Sequence, residues 1–503
     1  MKNLKIIIKK NKGFLLLTCF FIFLIFILLF ITPSHWTKKT DYRNIAHIFT
    51  SITFEQWDNV GAKNYYFAPV ISYDNPGDKF VDIYPRVFDS RGNNYYLSHP
   101  SGSFLLSYSV LKLFNFPINN LSLQKILFVY FILSIIGVMI LLSLLFKKNI
   151  SIIIGTLIYA FHPLILFSFT YYHFAETIGL VFFIWVLVFH MLIIKFPENK
   201  LYFILHKILF FCYLLIDWMA LIYAIFYIFY NIKKKNKKEA ILVSNLTIIA
   251  YLMIVIQYSS IGGLQPFINS IWIRYIDRAG IFSTILNVDG LWAAIKEFFR
   301  LFFKSIWNVL EGTGILFTLI ILPVLNKAKI FKNDTSWQFI IKWVFLPILI
   351  FSIIVFSAVL THYIYMAKFV LFITLTTAFV CDKYLFINNK KWIYLSYTII
   401  LLTTMLWSLH KYSAFYKYDA YQENLDKQAN ILKTGANPTD ICIYILADNQ
   451  NINELVYVTY TAKRNLLFFR NISDFNKWYE NNTDIDCLYI FNNIKKYKES
   501  TPE

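Results

Sequence analysis

The sequence is poor in charged residues and in cysteine, and each scarcity excludes a class of protein. Only 15% of its 503 residues are charged, whereas 58% are hydrophobic and 19% are aromatic. Soluble domains carry about 25% charged residues, so this composition indicates a polytopic membrane protein. The five cysteines form no CxxC pair and no metal-ligand spacing, and they therefore support neither a zinc site nor a redox centre.

The charges that are present are mainly basic, and their distribution indicates membrane orientation rather than nucleic-acid binding. The formal net charge is +19, but the lysines lie in short clusters between long apolar segments. Such clusters are typical of cytoplasmic loops, which face an anionic lipid leaflet. We therefore expect no nucleic-acid partner.

Apolar segments of spanning length recur along the chain and predict about eleven transmembrane helices. Lys9, Lys10 and Lys12 directly precede the first segment, which places the N-terminus in the cytoplasm. A cleaved signal peptide is disfavoured because this segment is long and lacks a small-x-small cleavage site. The predicted spans are 14–31, 124–146, 150–171, 177–194, two short helices within 201–231 that break at Asp217 and Trp218, 240–258, 305–325, 339–360, 364–381 and 392–409.

These spans place every lysine-rich short loop on one side of the membrane and three longer segments on the other. The predicted outer segments are 33–124, 261–304 and 413–503. In the first of them, His99 and Pro100 precede a mainly apolar stretch of roughly 14 residues, whereas a bilayer requires about 20. This stretch therefore predicts a helix that lies in the membrane interface.

In the C-terminal region the long apolar segments give way to short strand-like segments that alternate with helical patterns. This alternation predicts a small α/β domain. The strands are predicted at 441–446, 466–469 and 487–491, and the helices at about 419–433 and 473–480. We therefore expect a transmembrane domain over 1–410, which includes the outer loop 33–123, and an extracytoplasmic domain over 411–503.

Three carboxylates on the predicted outer side are candidates for proton transfer. Glu55 and Asp58 lie three residues apart in a helical pattern over 45–60, which places them on one helix face. Glu176 lies in a tight turn between two predicted spans, at the depth of the membrane boundary. Its alternative explanation is the favourable interaction of an acid with the N-terminus of a helix.

The predicted outer side also carries cations and aromatic residues that suit an anionic ligand. Arg274 and Arg278 lie four residues apart, and two guanidinium groups can hold a phosphate in a bidentate manner. The alternative is an ordinary surface helix in which Asp277 pairs with an arginine. Lys368 lies in an apolar span, where a lysine must extend to the interface or bind an anion. His362 and Tyr363 occupy a further tight turn on this side.

Several of these motifs together resemble the GT-C glycosyltransferase superfamily, in particular the bacterial relatives of protein mannosyltransferases and lipid A aminoarabinose transferases. In those families the first outer loop ends in His-Pro-Pro or Lys-Pro-Pro before an interfacial helix. The run from His99 to Gly102 is similar, with Ser101 in place of the second proline. The segment 167–188 is similar to the family's third loop, which carries an acid where Glu176 stands, and the His362–Tyr363 turn resembles another outer-face motif.

The resemblance covers about residues 1–410 and implies transfer of a sugar from a polyprenyl-phosphate donor on the outer face of the membrane. The leaving phosphate requires fixed positive charge, for which Arg274, Arg278 and Lys368 are candidates. His99, His362 and Tyr363 are further candidates for substrate binding. The family usually has an Asp-Glu pair or a lone Asp soon after the first span. This chain has no such dipeptide there, and Asp41, Glu55 and Asp58 are the alternative candidates for its place. The candidates for the base that takes the acceptor's proton are Glu55, Asp58 and Glu176.

Two other functions are compatible with the sequence, namely a transporter or flippase of lipid-linked saccharides and a polysaccharide polymerase. A flippase is expected to have small extramembrane parts, whereas the first outer loop of this chain is large. A polymerase is expected to have an arginine-rich outer loop, and 261–304 contains few arginines. The sequence leaves open which sugar is transferred, whether the acceptor is a protein, a lipid or a glycan, and whether a cofactor or a divalent metal is needed. The Lys, Asn and Ile bias favours a bacterial plasma membrane, with the C-terminus outside.

Overall fold

The computed structural model describes most of the chain, with gaps. The described residues are 45–73, 87–171, 175–279, 291–311, 334–385, 403–407, 409–410, 420–436, 441–445, 452–469, 472–481, 488–492 and 495–497. The predicted span 14–31, the greater part of 305–325 and of 392–409, and the candidate Asp41 lie outside these residues.

The described part of the chain is mainly helical, and polar side chains determine where several helices begin. Asn119, Asn199 and Asn236 each accept a hydrogen bond from a backbone N–H in the first turn of the helix that follows. The helices are α1 (Ile45–Gln56), α2 (Gly102–Leu113), α3 (Asn120–Leu145), α4 (Asn149–Phe161), α5 (Pro163–Tyr171), α6 (Ala175–Lys195), α7 (Lys200–Leu214), α8 (Met219–Lys233), α9 (Lys237–Gly262), α10 (Leu264–Ala279), α11 (Leu291–Glu311), α12 (Thr335–Ile354), α13 (Phe356–Thr361), α14 (Tyr363–Val380), α15 (Ala420–Gly435), α16 (Ile452–Ala462) and α17 (Ile472–Glu480).

Within the described residues, five helices are long and apolar enough to cross a membrane, and the bent pair α4 and α5 makes a sixth. The two members of this pair meet at 54°, because Pro163 lacks the N–H that would continue α4. The predicted multi-pass membrane protein is confirmed. The predicted number of about eleven spans is not confirmed, because three of the predicted spans lie wholly or largely outside the described residues. Helices α7 and α8, which correspond to the two short helices predicted within 201–231, have 15 residues each. Helix α14 is central, with 89% of its apolar window buried.

The chain breaks between α7 and α8 at the predicted position. Helix α7 ends at Leu214 and α8 begins at Met219. The Asp217 carboxylate accepts a hydrogen bond from the Met219 N–H at 3.0 Å, and so begins the new helix. Gly179 on α6 makes room for this carboxylate, because a Cβ there would lie 2.5 Å from Asp217 Oδ2.

Helix α10 has the opposite distribution of side chains from a surface helix of a soluble protein: its polar side chains are buried and its apolar ones are exposed. Arg274 and Ser270 on this helix are buried, whereas Trp272, Ile273 and Ile276 are exposed. In water this arrangement would expose a large apolar surface to solvent, which is unfavourable, but it suits a helix whose outer face contacts lipid. The inverted pattern therefore directs the guanidinium of Arg274 into the protein interior.

The C-terminal part of the chain forms a four-stranded sheet with three helices, and we call this part the C-terminal unit. The strands are β1 (Ile441–Ile445), β2 (Leu466–Phe469), β3 (Leu488–Asn492) and β4 (Lys495–Tyr497), in the spatial order β2-β1-β3-β4. Strands β1, β2 and β3 are parallel, and β4 is antiparallel to β3. Three of these strands lie within one residue of their predicted positions, and β4 and α16 were not predicted.

The core of the C-terminal unit is shared with the predicted outer loop. Ile48, Phe49 and Ile52 on α1 pack into the same apolar cluster as Leu425 and Val458 of the C-terminal unit. The predicted boundary at residue 411 therefore does not separate two independent cores, and an independently folding domain over 411–503 stays a prediction.

Candidate functional site

The motif from Ser98 to Gly102 is held by contacts from two sides. Trp218, at the break between α7 and α8, donates its indole N–H to the Ser98 carbonyl at 2.8 Å. Tyr258 on α9 donates its hydroxyl to the His99 carbonyl at 2.5 Å. Gly102 N–H donates to the Leu215 carbonyl at 3.0 Å, and a Cβ on Gly102 would lie only 2.3 Å from that oxygen. The motif thus requires glycine at this position, and its backbone is fixed against the helix bundle.

An apolar cavity of about 270 Å³ lies beside this motif. Its walls are mostly aliphatic and aromatic side chains of α8, α10 and α12, including Leu221, Ile222, Ile271, Phe351 and Ile354. Ser98, His99, Arg274 and Arg278 also line it. The cavity therefore combines a long apolar wall with a small group of polar and cationic side chains.

Arg274 is oriented by neutral groups. Its guanidinium donates to the Ser98 hydroxyl and lies 4.9 Å from the ring centroid of Tyr96. The residue is only 6% exposed, and the π face of the tyrosine ring offsets part of the desolvation of the cation. Arg274 therefore presents a fixed positive charge to the cavity.

Arg278, His99 and Glu176 form a second cluster that shares one atom, His99 Nε2. This nitrogen lies 3.1 Å from Glu176 Oε1 and 3.3 Å from Arg278 Nη2. Burial lowers the pKa of the His99 imidazole; Glu176 opposes this effect and Arg278 adds to it. In the neutral imidazole, Nε2 can donate to the carboxylate or accept from the guanidinium, but it cannot do both at once.

Helix α14 completes this cluster. Tyr365 lines the cavity and lies within electrostatic range of the Glu176 carboxylate. His362, at the start of the same helix, lies within electrostatic range of Arg278 and Glu176, and its ring centroid is 6.2 Å from that of Tyr365. The backbone of Tyr363 begins α14, but its side chain lies outside the described part of the structure.

The structure does not bring Glu55 and Asp58 into this cluster. Helix α1 ends at Gln56 and the chain continues as a π-helical turn over Trp57–Gly61, so the two carboxylates lie on either side of this change of helix type. That they share one helix face stays a prediction. Asp58 forms an exposed ion pair with Lys112 at 2.5 Å. Glu55 pairs with Lys463 of the C-terminal unit. Each carboxylate thus has its own cation at a different place.

Lys368 also has a partner within the protein. Its Nζ lies 2.5 Å from Asp217 Oδ2, and the two side chains are 1% and 2% exposed. The anion that the sequence analysis required for this lysine is therefore the Asp217 carboxylate, and Lys368 is not among the residues that line the cavity.

Sequence reasoning missed Ser98, Tyr96 and Tyr365 as parts of the site and missed the Asp217 partner of Lys368. One signal for the pair was available, because a buried lysine in an apolar span requires an opposite charge and Asp217 lies at a predicted helix break. Among the described residues, no group of three or more His, Cys, Asp or Glu side chains is arranged to hold a metal ion.

No protein-family model matches the chain, and no curated protein matches it. Its fold is nevertheless similar to that of solved oligosaccharyltransferase structures. The oligosaccharyltransferase of Archaeoglobus fulgidus in its apo form has a TM-score of 0.52 and 12% identity, and the match covers 85% of this chain and 61% of that one.

Two further solved structures illustrate the likeness. The archaeal oligosaccharyltransferase AglB from Archaeoglobus fulgidus, in complex with an inhibitory peptide and a dolichol-phosphate, has a TM-score of 0.50 and 13% identity, and the match covers 84% of this chain and 60% of that one. ArnT from Cupriavidus metallidurans bound to undecaprenyl phosphate has a TM-score of 0.47 and 10% identity, with 93% and 89% covered. Identities this low establish the fold alone, and this chain spans about three fifths of the archaeal protein.

Proposed function

We propose that this protein transfers a sugar from a polyprenyl-phosphate-linked donor to an acceptor at the outer face of a bacterial plasma membrane. One observation carries the proposal: Arg274, Arg278, His99 and Glu176, which are far apart in the sequence, converge at an apolar cavity of about 270 Å³. The archaeal oligosaccharyltransferase with the same fold forms a complex with a dolichol-phosphate, which is consistent with a donor of this chemistry.

The cavity suits the amphiphilic character of such a donor. Its apolar wall can take part of an isoprenoid chain, and the exposed apolar side chains of α10 suit contact with lipid beside the cavity. Arg274 and Arg278 lie one helical turn apart on α10, so both guanidinium groups can approach one phosphate. Fixed guanidinium groups in a site with little water stabilise the negative charge that develops on a leaving phosphate.

The proposed reaction exchanges one glycosidic bond for another. The bond between the anomeric carbon and the donor phosphate breaks, and the acceptor oxygen bonds to that carbon. The electron pair of the broken bond leaves with the phosphate, which Arg274 and Arg278 hold. The proton of the acceptor hydroxyl passes to the pair formed by His99 and Glu176, which acts as the general base. Of the three candidate carboxylates, Glu176 is preferred over Glu55 and Asp58 because it contacts a residue of the cavity wall, His99.

The cationic part of the proposal is tested by donor binding. We expect the double variant Arg274→Ala/Arg278→Ala to weaken binding of a labelled polyprenyl-phosphate sugar to purified protein in lipid nanodiscs by at least about 100-fold. Arg300→Ala is the matched control, because Arg300 is exposed and pairs with Glu297 on α11. Unchanged donor affinity in the double variant would refute the phosphate site.

The base is tested by transfer without any membrane gradient, which also separates an enzyme from a transporter. Glu176→Gln should retain donor binding and lower the transfer rate by about 10²-fold or more. Asp58→Asn is the comparison among the carboxylates and should retain transfer. Full activity of Glu176→Gln would show that Glu176 is not the base. The same conclusion would follow if Asp58→Asn lost transfer while Glu176→Gln retained it.

A further inference from the structure

Polar contacts fasten the C-terminal unit to the predicted outer loop. The Asn465 side chain accepts a hydrogen bond from the Tyr73 N–H at 2.8 Å and donates one to the Tyr73 carbonyl at 3.0 Å. Lys463 pairs with Glu55, and the Tyr73 hydroxyl donates to the same carboxylate at 3.3 Å. These four residues, which we call the latch, join parts of the chain that are about 390 residues apart.

The latch holds the segment that carries Tyr96. The Ile71 N–H donates to the Asn94 carbonyl at 2.9 Å, and the Tyr96 N–H donates to the Pro69 carbonyl at 2.8 Å. Backbone hydrogen bonds therefore join residues 69–73 to residues 94–96. The latch contacts the first of these segments at Tyr73. On the other side of Tyr96, the ring of Phe49 lies 5.2 Å away, and both rings belong to the apolar core that α1 shares with the C-terminal unit.

Tyr96 in turn contacts the cavity residues. The Arg274 guanidinium lies 4.9 Å from its ring centroid, and the His99 ring lies 6.2 Å from it. A cation over an aromatic face is oriented by the ring quadrupole, so the direction of the Arg274 charge depends on where the ring lies. The ring is 5% exposed, and Phe49 and the backbone bonds of Tyr96 determine its position.

We propose that the C-terminal unit is a positioning element for the donor phosphate, acting through the latch and Tyr96 on Arg274. This inference rests on the proposed function. Tyr96 is a positioning residue, since it acts through Arg274. The C-terminal unit thereby contributes to donor affinity although none of its described residues lines the cavity.

The experiment uses the full chain in lipid nanodiscs, with a polyprenyl phosphate that carries no sugar as the probe. We expect Tyr96→Leu to raise the Kd for this lipid by about 3- to 10-fold, and Tyr96→Phe to leave it unchanged because the ring is retained. The latch variant Asn465→Ala/Lys463→Met should raise the Kd in the same direction. The matched control is Lys427→Met, which breaks an exposed ion pair with Glu423 within the C-terminal unit and should not change the Kd.

The outcomes separate this inference from the function on which it rests. If Arg274→Ala does not weaken binding, the phosphate site itself is wrong. If Arg274→Ala weakens binding while Tyr96→Leu and the latch variant bind normally, the positioning role alone is refuted. A latch variant with a lower Tm and an unchanged Kd would make the latch a purely structural contact and would also overturn the inference. Tyr96→Leu tests the link even if the latch variant does not fold.

Discussion

The buried pair of Asp217 and Lys368 allows a quantitative prediction about what holds the helix bundle together. Their charged atoms are 2.5 Å apart, and the side chains are 2% and 1% exposed. Removing one partner leaves the other charge without compensation in a medium of low polarity, which typically costs about 3–5 kcal/mol. We therefore expect Lys368→Met to lower the free energy of unfolding by about that amount.

The double variant distinguishes a charge pair from two unrelated packing sites. Asn at position 217 keeps an acceptor for the Met219 N–H, the hydrogen bond that begins α8. Replacing both charges together is often close to neutral, so Asp217→Asn/Lys368→Met should be more stable than either single variant. The coupling is measured by denaturant titration of all four proteins in detergent micelles. Additive effects, or a cost below about 1 kcal/mol for Lys368→Met, would refute the argument.

Three further perturbations follow from individual contacts. Gly102→Ala should lower the apparent Tm by several degrees, because its Cβ would lie 2.3 Å from the Leu215 carbonyl oxygen. The control is Ser109→Ala, at an exposed position on the same helix. Equal Tm values for the two variants would contradict this expectation. Burial lowers the pKa of His47 to about 4 from its ordinary value of 6.5, so the unfolded chain binds the proton first as the pH falls. Stability should therefore decline between pH 6.5 and about 4, by at most about 1.4 kcal/mol per pH unit, and His47→Gln should have a shallower decline in urea titrations across this range. Lys112→Ala breaks an ion pair with Asp58 in which both side chains are exposed, and it should leave the free energy of unfolding almost unchanged in urea titrations because solvent screens such pairs.

Features that depend on short stretches of sequence were predictable. The break at Asp217 and Trp218 was predicted because an acid interrupts the apolar stretch 201–231. Three of the four strands of the C-terminal unit were predicted because short β-rich stretches alternate with helical ones. The bend at Pro163, within the span predicted at 150–171, was not predicted, although the geometry of proline accounts for it.

Features that depend on contacts between distant residues were not predictable in this way. Periodicity assigned Glu55 and Asp58 to one face, but it gave no sign that they pair with different lysines, Lys463 and Lys112. The pairing of Lys368 with Asp217 spans 151 residues, and nothing local to either residue identifies the other. Candidates on the predicted outer side, such as His99, Glu176 and the two arginines, lie together in space, but their roles stay proposals.

The inverted surface of α10 has a consequence for the ionic environment of Arg274. The guanidinium is buried, whereas Trp272, Ile273 and Ile276 on the same helix are exposed. Mobile ions in the aqueous phase screen exposed charges within about 8–10 Å, but they do so far less for a charge enclosed by protein and hydrocarbon. An anionic headgroup bound here should therefore keep nearly the same affinity from low salt to seawater concentrations, whereas a lysine-rich aqueous surface would release it.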